Sequence, residues 1–272
     1  TDLNKVTKAN ISVRISDEFM HAVKNKEKYT CRFFLESTKE EIIKEVDAHK
    51  LCMKLVENNW NYAEPGILFW DNIKKYHLLS EDKDFKHDGV NPCAEEPLPA
   101  GGSCLLGSIN LSEFVVEPFT KEAIFDMEKF NACVQDCILG LNEVLDEGLS
   151  LHPLKQQQES VSKYRQIGLG VMGIADMLIK LNMRYGSSES IELCDKISKH
   201  MLNSAVKKSA LIAKERGAFE KYNKEALLKS PFFINNIDED VKELVKKYGI
   251  RNSQIFTIPL TGNISTMLSI SE

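Results

Sequence analysis

Short apolar runs alternate with long stretches of helical period from one end of the chain to the other, and this alternation confines the fold to the α/β class. "NISVRIS" (10 to 16) alternates apolar and polar residues and predicts a strand, with Ser16 capping a short helix that opens Asp17, Glu18. Residues 37 to 62 predict one long helix whose apolar face is Ile42, Val46, His49, Met53, Val56 and Trp60, spaced by four and three. "PGILFW" (65 to 70) and "CLLGSINL" (104 to 111) read as strands. Thr120 is expected to cap a second long helix carrying Ile124, Met127, Val134, Ile138, Leu141 and Leu145 on one side. "RQIGLGV" opens a strand-to-helix unit running to about residue 182, and a third long helix covers roughly 189 to 216 with Gly217 as its C-cap. "NIDEDVKELVKKYG" is amphipathic, "SQIFTIPL" is a buried strand, and "TGNISTML" starts as a loop and enters a helix. Loop spacing marks no clean boundary, so a single domain over 1–272 is expected.

Charge and cysteine usage remove several functions. The net charge of −5 gives no basic surface for nucleic acid or anionic membrane, so neither is expected as a partner. No apolar run approaches the roughly 18 residues of a membrane span, and "TDLNKVTKANISV" has no signal-peptide pattern, which predicts a cytoplasmic chain. Seven cysteines, an odd number at scattered positions, are not a disulfide framework. The chain opens in a strand approach and stops at "STMLSISE" without terminal punctuation, which points to a piece of a longer protein.

Several constellations have plain readings. Gly168, Gly170 and Gly173 match G-x-G-x-x-G, with Glu189 about twenty residues on, but the fingerprint needs a solid apolar strand before it and only "KYRQI" stands there. Close strand–helix packing is the reading; a nicotinamide-dependent dehydrogenase built on this pattern is the rival. Cys133 and Cys137, one helical turn apart, offer half of a metal site, and no second pair of zinc-like spacing accompanies them. They read as small buried hydrophobes, as do Cys31, Cys52 and Cys194, and His49 as a hydrogen-bonded core histidine. No metal ligands are assigned.

Two stretches ask for chemistry. "PLTGNIS" (259 to 265) follows an apolar strand and sets Thr261, Gly262, Asn263 and Ser265 at a helix start, where backbone N–H groups and hydroxyls can meet an anion; an N-capped turn is the alternative. "NPCAEEPLPAGGSC" (91 to 104) holds Asn91, Cys93 and Glu95 at period two, so an extended segment would point all three side chains one way, with Cys104 eleven residues after Cys93. An amide and a carboxylate beside a thiol are not apolar filler, because buried polar groups need partners or a task. An adjacent anion raises a thiol's pKa and opposes thiolate chemistry. The set suits a cysteine that carries a hydrogen atom while the carboxylate handles protons.

"NPCAEEPLPAGGSCLLGSINL" resembles the active-site segment of the large, catalytic chain of ribonucleotide reductase. "NISVRISDEFMHAV" and "AEPGILFWDNI" precede it, and "RQIGLGVMGIADML", "AKERGAFEKYN" and "TIPLTGNISTML" follow, in the family's order and over essentially the whole chain. The resemblance implies part of a ten-stranded α/β barrel with long helices outside and the radical cysteine on a central loop. It makes Cys93 the thiyl radical that takes the 3′-hydrogen of the ribose, Glu95 the general base for the 3′-hydroxyl, and Asn91 a hydrogen-bonding partner of substrate. It makes Cys104 one half of the dithiol that reduces the 2′ position, with its partner expected upstream of Thr1, so the isolated chain is expected not to turn over. It places the substrate phosphates on Leu260, Thr261, Gly262, Asn263, Ile264 and Ser265, although Pro259 and Leu260 stand where the family usually has Ala-Pro before Thr-Gly. The short gap to Cys104 looks like the adenosylcobalamin-dependent subclass, a separate metal-radical subunit being the alternative. Ribonucleoside di- or triphosphates, a thioredoxin-like reductant and a homodimer of the full-length chain are the partners implied. A non-catalytic derivative of the fold is the remaining rival.

Overall fold

The computed structural model describes residues 9–103 and 105–272, so Cys104 lies outside the described residues. The chain divides into two compact units, the first ending at Lys75 and the second running from Tyr76 to Glu272.

In the first unit, β1 (Ser12–Ile15) runs straight into α1 (Asp17–Asn25). Ser16 makes the junction as expected: its hydroxyl accepts from the Phe19 N–H at 3.1 Å, satisfying a first-turn donor. β2 (Lys28–Leu35) and β3 (Glu40–Asp47) form an antiparallel ribbon, followed by α2 (Ala48–Tyr62), β4 (Gly66–Phe69) and α3 (Trp70–Lys75). β1 pairs with β4 in parallel, Ser12 opposite Gly66. The expected helix over 37 to 62 is therefore a strand over its first part and a helix only from Ala48. Ile42 pairs with Phe33 and Ile43 with Arg32, and this cross-strand pairing overrides a spacing of four that looks helical. Asp47 ends the ribbon and caps α2, accepting from the Lys50 N–H at 2.8 Å. The buried face of α2 is Ala48, Leu51, Cys52 and Leu55, packed on Ile15, Phe19 and Ala22. Met53, Val56 and Trp60 of the predicted face are exposed, and His49 is exposed too rather than a core histidine.

The second unit begins with β5 (Gly89–Val90) and β6 (Pro97–Leu98), a two-residue antiparallel pair that closes the base of the Cys93 loop. β7 (Leu106–Asn110), β8 (Val115–Val116) and β9 (Ile124–Phe125) precede α4 (Met127–Gly148) and α5 (Lys155–Tyr164). Then come β10 (Gly168–Met172), α6 (Ile174–Lys180), α7 (Ser188–Arg216), α8 (Lys224–Lys229), α9 (Pro231–Asn236), α10 (Glu239–Tyr248) and α11 (Gly262–Leu268). Thr120 caps no helix. Its hydroxyl donates to the Glu117 carbonyl at 2.7 Å within a turn, Ile124 is in β9, and Asp126 caps α4 by accepting from the Lys129 N–H. Of the rest of the predicted α4 stripe, Val134, Ile138, Leu141 and Leu145 are buried, Val134 and Ile138 fully inside, and Met127 is half-buried against the core. α7 matches its sequence prediction, capped by Ser187 and ended by Gly217 at φ 83°.

β7 and β10 run parallel, with Leu106 opposite Gly168 and Asn110 opposite Met172. The "SQIFTIPL" segment, expected as a buried strand, forms only an isolated bridge between Phe256 and Leu169 and exposes Ile258 and Leu260; it lies as an irregular segment along the other edge of β10. Ile167 donates its N–H to the Gln254 carbonyl at 3.1 Å, Leu169 to Ile255 at 2.9 Å, and Thr257 to Leu169 at 3.3 Å. Gly168 and Gly170 make that approach possible. A Cβ on Gly168 would stand 2.5 Å from Thr257 Cγ2; one on Gly170 would stand 2.5 Å from the Thr257 carbonyl oxygen and 2.6 Å from Pro259 Cδ. Gly168 and Gly170 are thus a packing device, although what they admit is the Thr257–Pro259 segment rather than the helix expected, and Pro259 occupies the space that Gly170 leaves open.

Candidate active site

The Cys93 loop is a turn, where an extended segment was expected. Ala94 donates its N–H to the Asn91 carbonyl at 2.9 Å and takes φ 68°. The cause is local: Asn-Pro starts turns, because Pro92 presets the φ of the second turn position. Period two therefore does not align Asn91, Cys93 and Glu95, which lie instead in and just after one turn. The Asn91 side chain fastens the turn, its Oδ1 accepting from the Glu96 N–H at 2.9 Å while the Asn91 N–H donates to the Glu96 carbonyl at 3.2 Å. Because Oδ1 is used as acceptor, the Asn91 amide keeps Nδ2 as its donor.

The reactive groups have contrasting surroundings. Cys93 is exposed and its thiol is free. Glu95 is partly buried, with Oε2 shielded from solvent and without a hydrogen-bond partner. A buried carboxylate oxygen in that state is unfavourable unless something hydrogen-bonds to it. Glu96 is 1% exposed and its Oε2 lies 3.4 Å from where a Cβ on Gly168 would be.

The loop is held to the segment beside β10 by two side chains. Thr257 Oγ1 donates to the Glu95 carbonyl at 3.1 Å, and Gln254 Nε2 to the Pro97 carbonyl at 2.6 Å. That segment is anchored in turn by Asn252, fully buried. Its side chain exchanges hydrogen bonds with Asn142 at 3.0 and 3.1 Å, donates to the Arg165 carbonyl at 2.9 Å and accepts from Ser209 Oγ at 3.0 Å. Arg165 extends the network by donating to Asp146 at 2.6 Å. Gln254 and Thr257 were missed in the sequence; two polar residues inside an apolar strand run were the available signal.

Four residues after Thr257 the same segment reaches Thr261, which puts the two positions no more than about 14 Å apart along the chain. Thr261 is buried, its hydroxyl is unpartnered, and it starts α11 without a side-chain cap. The first-turn N–H groups of Gly262, Asn263 and Ile264 have no intrahelical acceptor. Ser265 is buried, donating its hydroxyl to the Gly262 carbonyl at 3.2 Å, whereas Leu260, Asn263 and Ile264 are exposed. Glu272 Oε1 lies 3.0 Å from where a Cβ on Gly262 would stand.

Cys133 and Cys137 stand 4.0 Å apart at their sulfurs on α4, half-buried against the core. Burial, then the neighbouring Cys133, pushes the Cys137 thiol up to about 12. Among the described residues no three His, Cys, Asp or Glu side chains gather into a group able to hold a metal ion, and no helix is long and apolar enough to cross a membrane.

Comparison with known proteins converges on one family. The family model for the ribonucleotide reductase barrel domain matches residues 1–272. A vitamin B12-dependent ribonucleoside-diphosphate reductase of Thermoplasma acidophilum is 32% identical over 270 residues, covering 99% of this chain and 32% of that protein. A vitamin B12-dependent ribonucleotide reductase of Streptomyces clavuligerus is 28% identical, covering 96% and 29%. The ribonucleoside-diphosphate reductase subunit alpha of Chlamydia pneumoniae is 30% identical, covering 88% and 24%. The chain thus spans a quarter to a third of the length of these relatives. The solved class Id ribonucleotide reductase alpha subunit of Actinobacillus ureae shares the fold, with TM-score 0.70 and 20% identity over 96% of this chain and 42% of that one.

Proposed function

The chain belongs to the ribonucleotide reductase barrel-domain family, and from that premise we propose that it supplies the radical loop and phosphate loop of a ribonucleotide reductase. The observation that carries this reading is the pairing of an exposed thiol, Cys93, with a buried, unpartnered carboxylate oxygen of Glu95 in one hydrogen-bonded turn. A ribose 3′-hydroxyl is a partner of the right kind for that oxygen. The Cys93 thiyl radical takes the 3′-hydrogen atom, Glu95 takes the 3′-hydroxyl proton, and Asn91 donates from Nδ2 to the substrate. Cys104 and a second cysteine supply two electrons at C2′. The 2′-hydroxyl leaves as water, hydrogen replaces it and the dithiol becomes a disulfide, after which Cys93 returns the hydrogen atom to C3′, regenerating its radical, and Glu95 returns the proton to the 3′-oxygen. Thr261, Ser265 and the first-turn N–H groups of α11, flanked by Leu260, Gly262, Asn263 and Ile264, receive the phosphates of a ribonucleoside di- or triphosphate.

The radical source in this proposal is adenosylcobalamin, which the names of the Thermoplasma and Streptomyces relatives support. When bound, it supplies the carbon-centred radical that removes the hydrogen atom from a thiol. The exposed sulfur of Cys93 fits that task, since it needs no rearrangement to be reached. A thioredoxin-like reductant resets the disulfide, the full-length protein is a homodimer, and the setting is the reducing cytoplasm.

The test uses the full-length protein with labelled cytidine di- and triphosphate and dithiothreitol, with and without adenosylcobalamin. Deoxycytidine product only in its presence is expected. Product without it, or none with it, overturns the cobalamin reading and makes a separate metal-containing subunit the radical source.

A further inference from the structure

We propose that Thr257 is a positioning residue, which fixes the Glu95 carboxylate and the Cys93 thiol relative to the loop at 260–265. The inference rests on the reading of Cys93 and Glu95 as the reacting groups. Thr257 is 4% exposed and all three of its polar or methyl contacts are specified. Its N–H donates to the Leu169 carbonyl at 3.3 Å. Its Cγ2 enters the gap at Gly168, 2.5 Å from where a Cβ would stand. Its hydroxyl donates to the Glu95 carbonyl at 3.1 Å. A β-branched side chain has one stiff torsion, so methyl and backbone together aim the hydroxyl.

The Glu95 carbonyl belongs to the same residue as the unpartnered carboxylate. Holding that carbonyl fixes the direction in which the side chain leaves the backbone, and two residues earlier, that of Cys93. Gln254 adds a second hold on Pro97. Thr257 lies on the segment that continues through Pro259 to Thr261, so the residues that would act on the ribose and those that would hold its phosphates are tied to one short stretch of chain. Radical transfer to a C–H bond depends steeply on distance, and a misplacement of about 1 Å can lower a rate a hundredfold.

The two halves of the Thr257 side chain separate positioning from packing. Thr257→Val keeps the shape and the methyl group in the Gly168 gap but removes the hydroxyl. Thr257→Ser keeps the hydroxyl and removes the methyl. Both are made in the full-length enzyme, assayed with its reductant and radical source, beside Cys93→Ser. The expected result is a fall in kcat of at least about tenfold for Thr257→Val, with KM within about twofold and an unchanged Tm. Thr257→Ser should return kcat to within about threefold of the parent despite a lower Tm. Wild-type kcat in Thr257→Val with an inactive Cys93→Ser overturns the positioning role and leaves the site reading intact. Equal impairment of both Thr257 variants assigns the residue to packing and also overturns it. Full activity of Cys93→Ser removes the site reading and this inference with it.

Discussion

The described cysteines of the second unit occur in two settings that differ in almost every physical respect. Cys93 sits exposed at the third position of a hydrogen-bonded turn, among an amide and two carboxylates. Cys133 and Cys137 sit half-buried on α4 among apolar side chains, with the Cys137 thiol held protonated up to about 12. Cys194 on α7 is likewise pushed up by burial. The α4 pair costs nothing to place, since a thiol behaves there as a small hydrophobe. The Cys93 loop needs hydrogen bonds from a distant segment to keep its shape. Hydrogen bonds hold the loop of the exposed sulfur and not the buried ones, and the proposed reaction falls on the exposed side of that asymmetry.

The largest effect that can break this contrast is on turnover. In the full-length enzyme Cys93→Ser should lower product formation by at least about a thousandfold, while the double change Cys133→Ala, Cys137→Ala stays within about twofold of the parent. Comparable losses in both would erase the distinction. Glu95→Gln comes next, with kcat down by about 10² to 10⁴ if the carboxylate takes a proton; a loss confined to KM would make it a binding group only. Iodoacetamide at pH 8, read by mass spectrometry of peptides, should label Cys93 at least about tenfold faster than Cys137 in the folded protein, a difference that vanishes in denaturant. The smallest effect is on alkaline stability. The unfolded Cys137 thiol ionises near its ordinary value while the folded one holds its proton to about 12. Between those two values the folded state binds more protons, so stability falls as pH rises from about 9 towards 12. Cys137→Ala should remove on the order of 1 kcal/mol of that fall by pH 11, measured by urea denaturation; an unchanged slope would place the thiol in contact with water.

Long-range periodicity was readable in the sequence; pairing partners were not. α7 announces itself through length, the Ser187 cap and Gly217, all local signals. Residues 40–47 deceive because Ile42 and Val46 are four apart, and only the ribbon partner at 28–35 turns them into strand. The sequence places Val134 to Leu145 on the buried side of α4, but the helix begins at Met127, capped by Asp126, because the preceding residues pair as β8 and β9. At the site, the residue types in "NPCAEE" pointed to a thiol beside a carboxylate, while the period-two geometry failed because Pro92 and the Asn91 side chain favour a turn. Thr257 and Gln254 could not be tied to this loop from sequence, since their partners lie about 160 residues away in the chain: 257 − 95 = 162 and 254 − 97 = 157.

The missing side chains of Gly168 and Gly170 have a consequence for length as well as for fit. They let a six-residue stretch from Gln254 to Pro259 touch both β10 and the Cys93 loop, Thr257 donating to the Glu95 carbonyl and Gln254 to the Pro97 carbonyl. A single inserted or deleted residue between Asn252 and Thr257 would rotate every later side chain to the opposite face. The Thr257 methyl would leave its gap and the Glu95 carbonyl would lose its donor. Substitutions at the exposed tips of this molecule change one surface at a time, but an indel in this stretch would unseat both loops in one event.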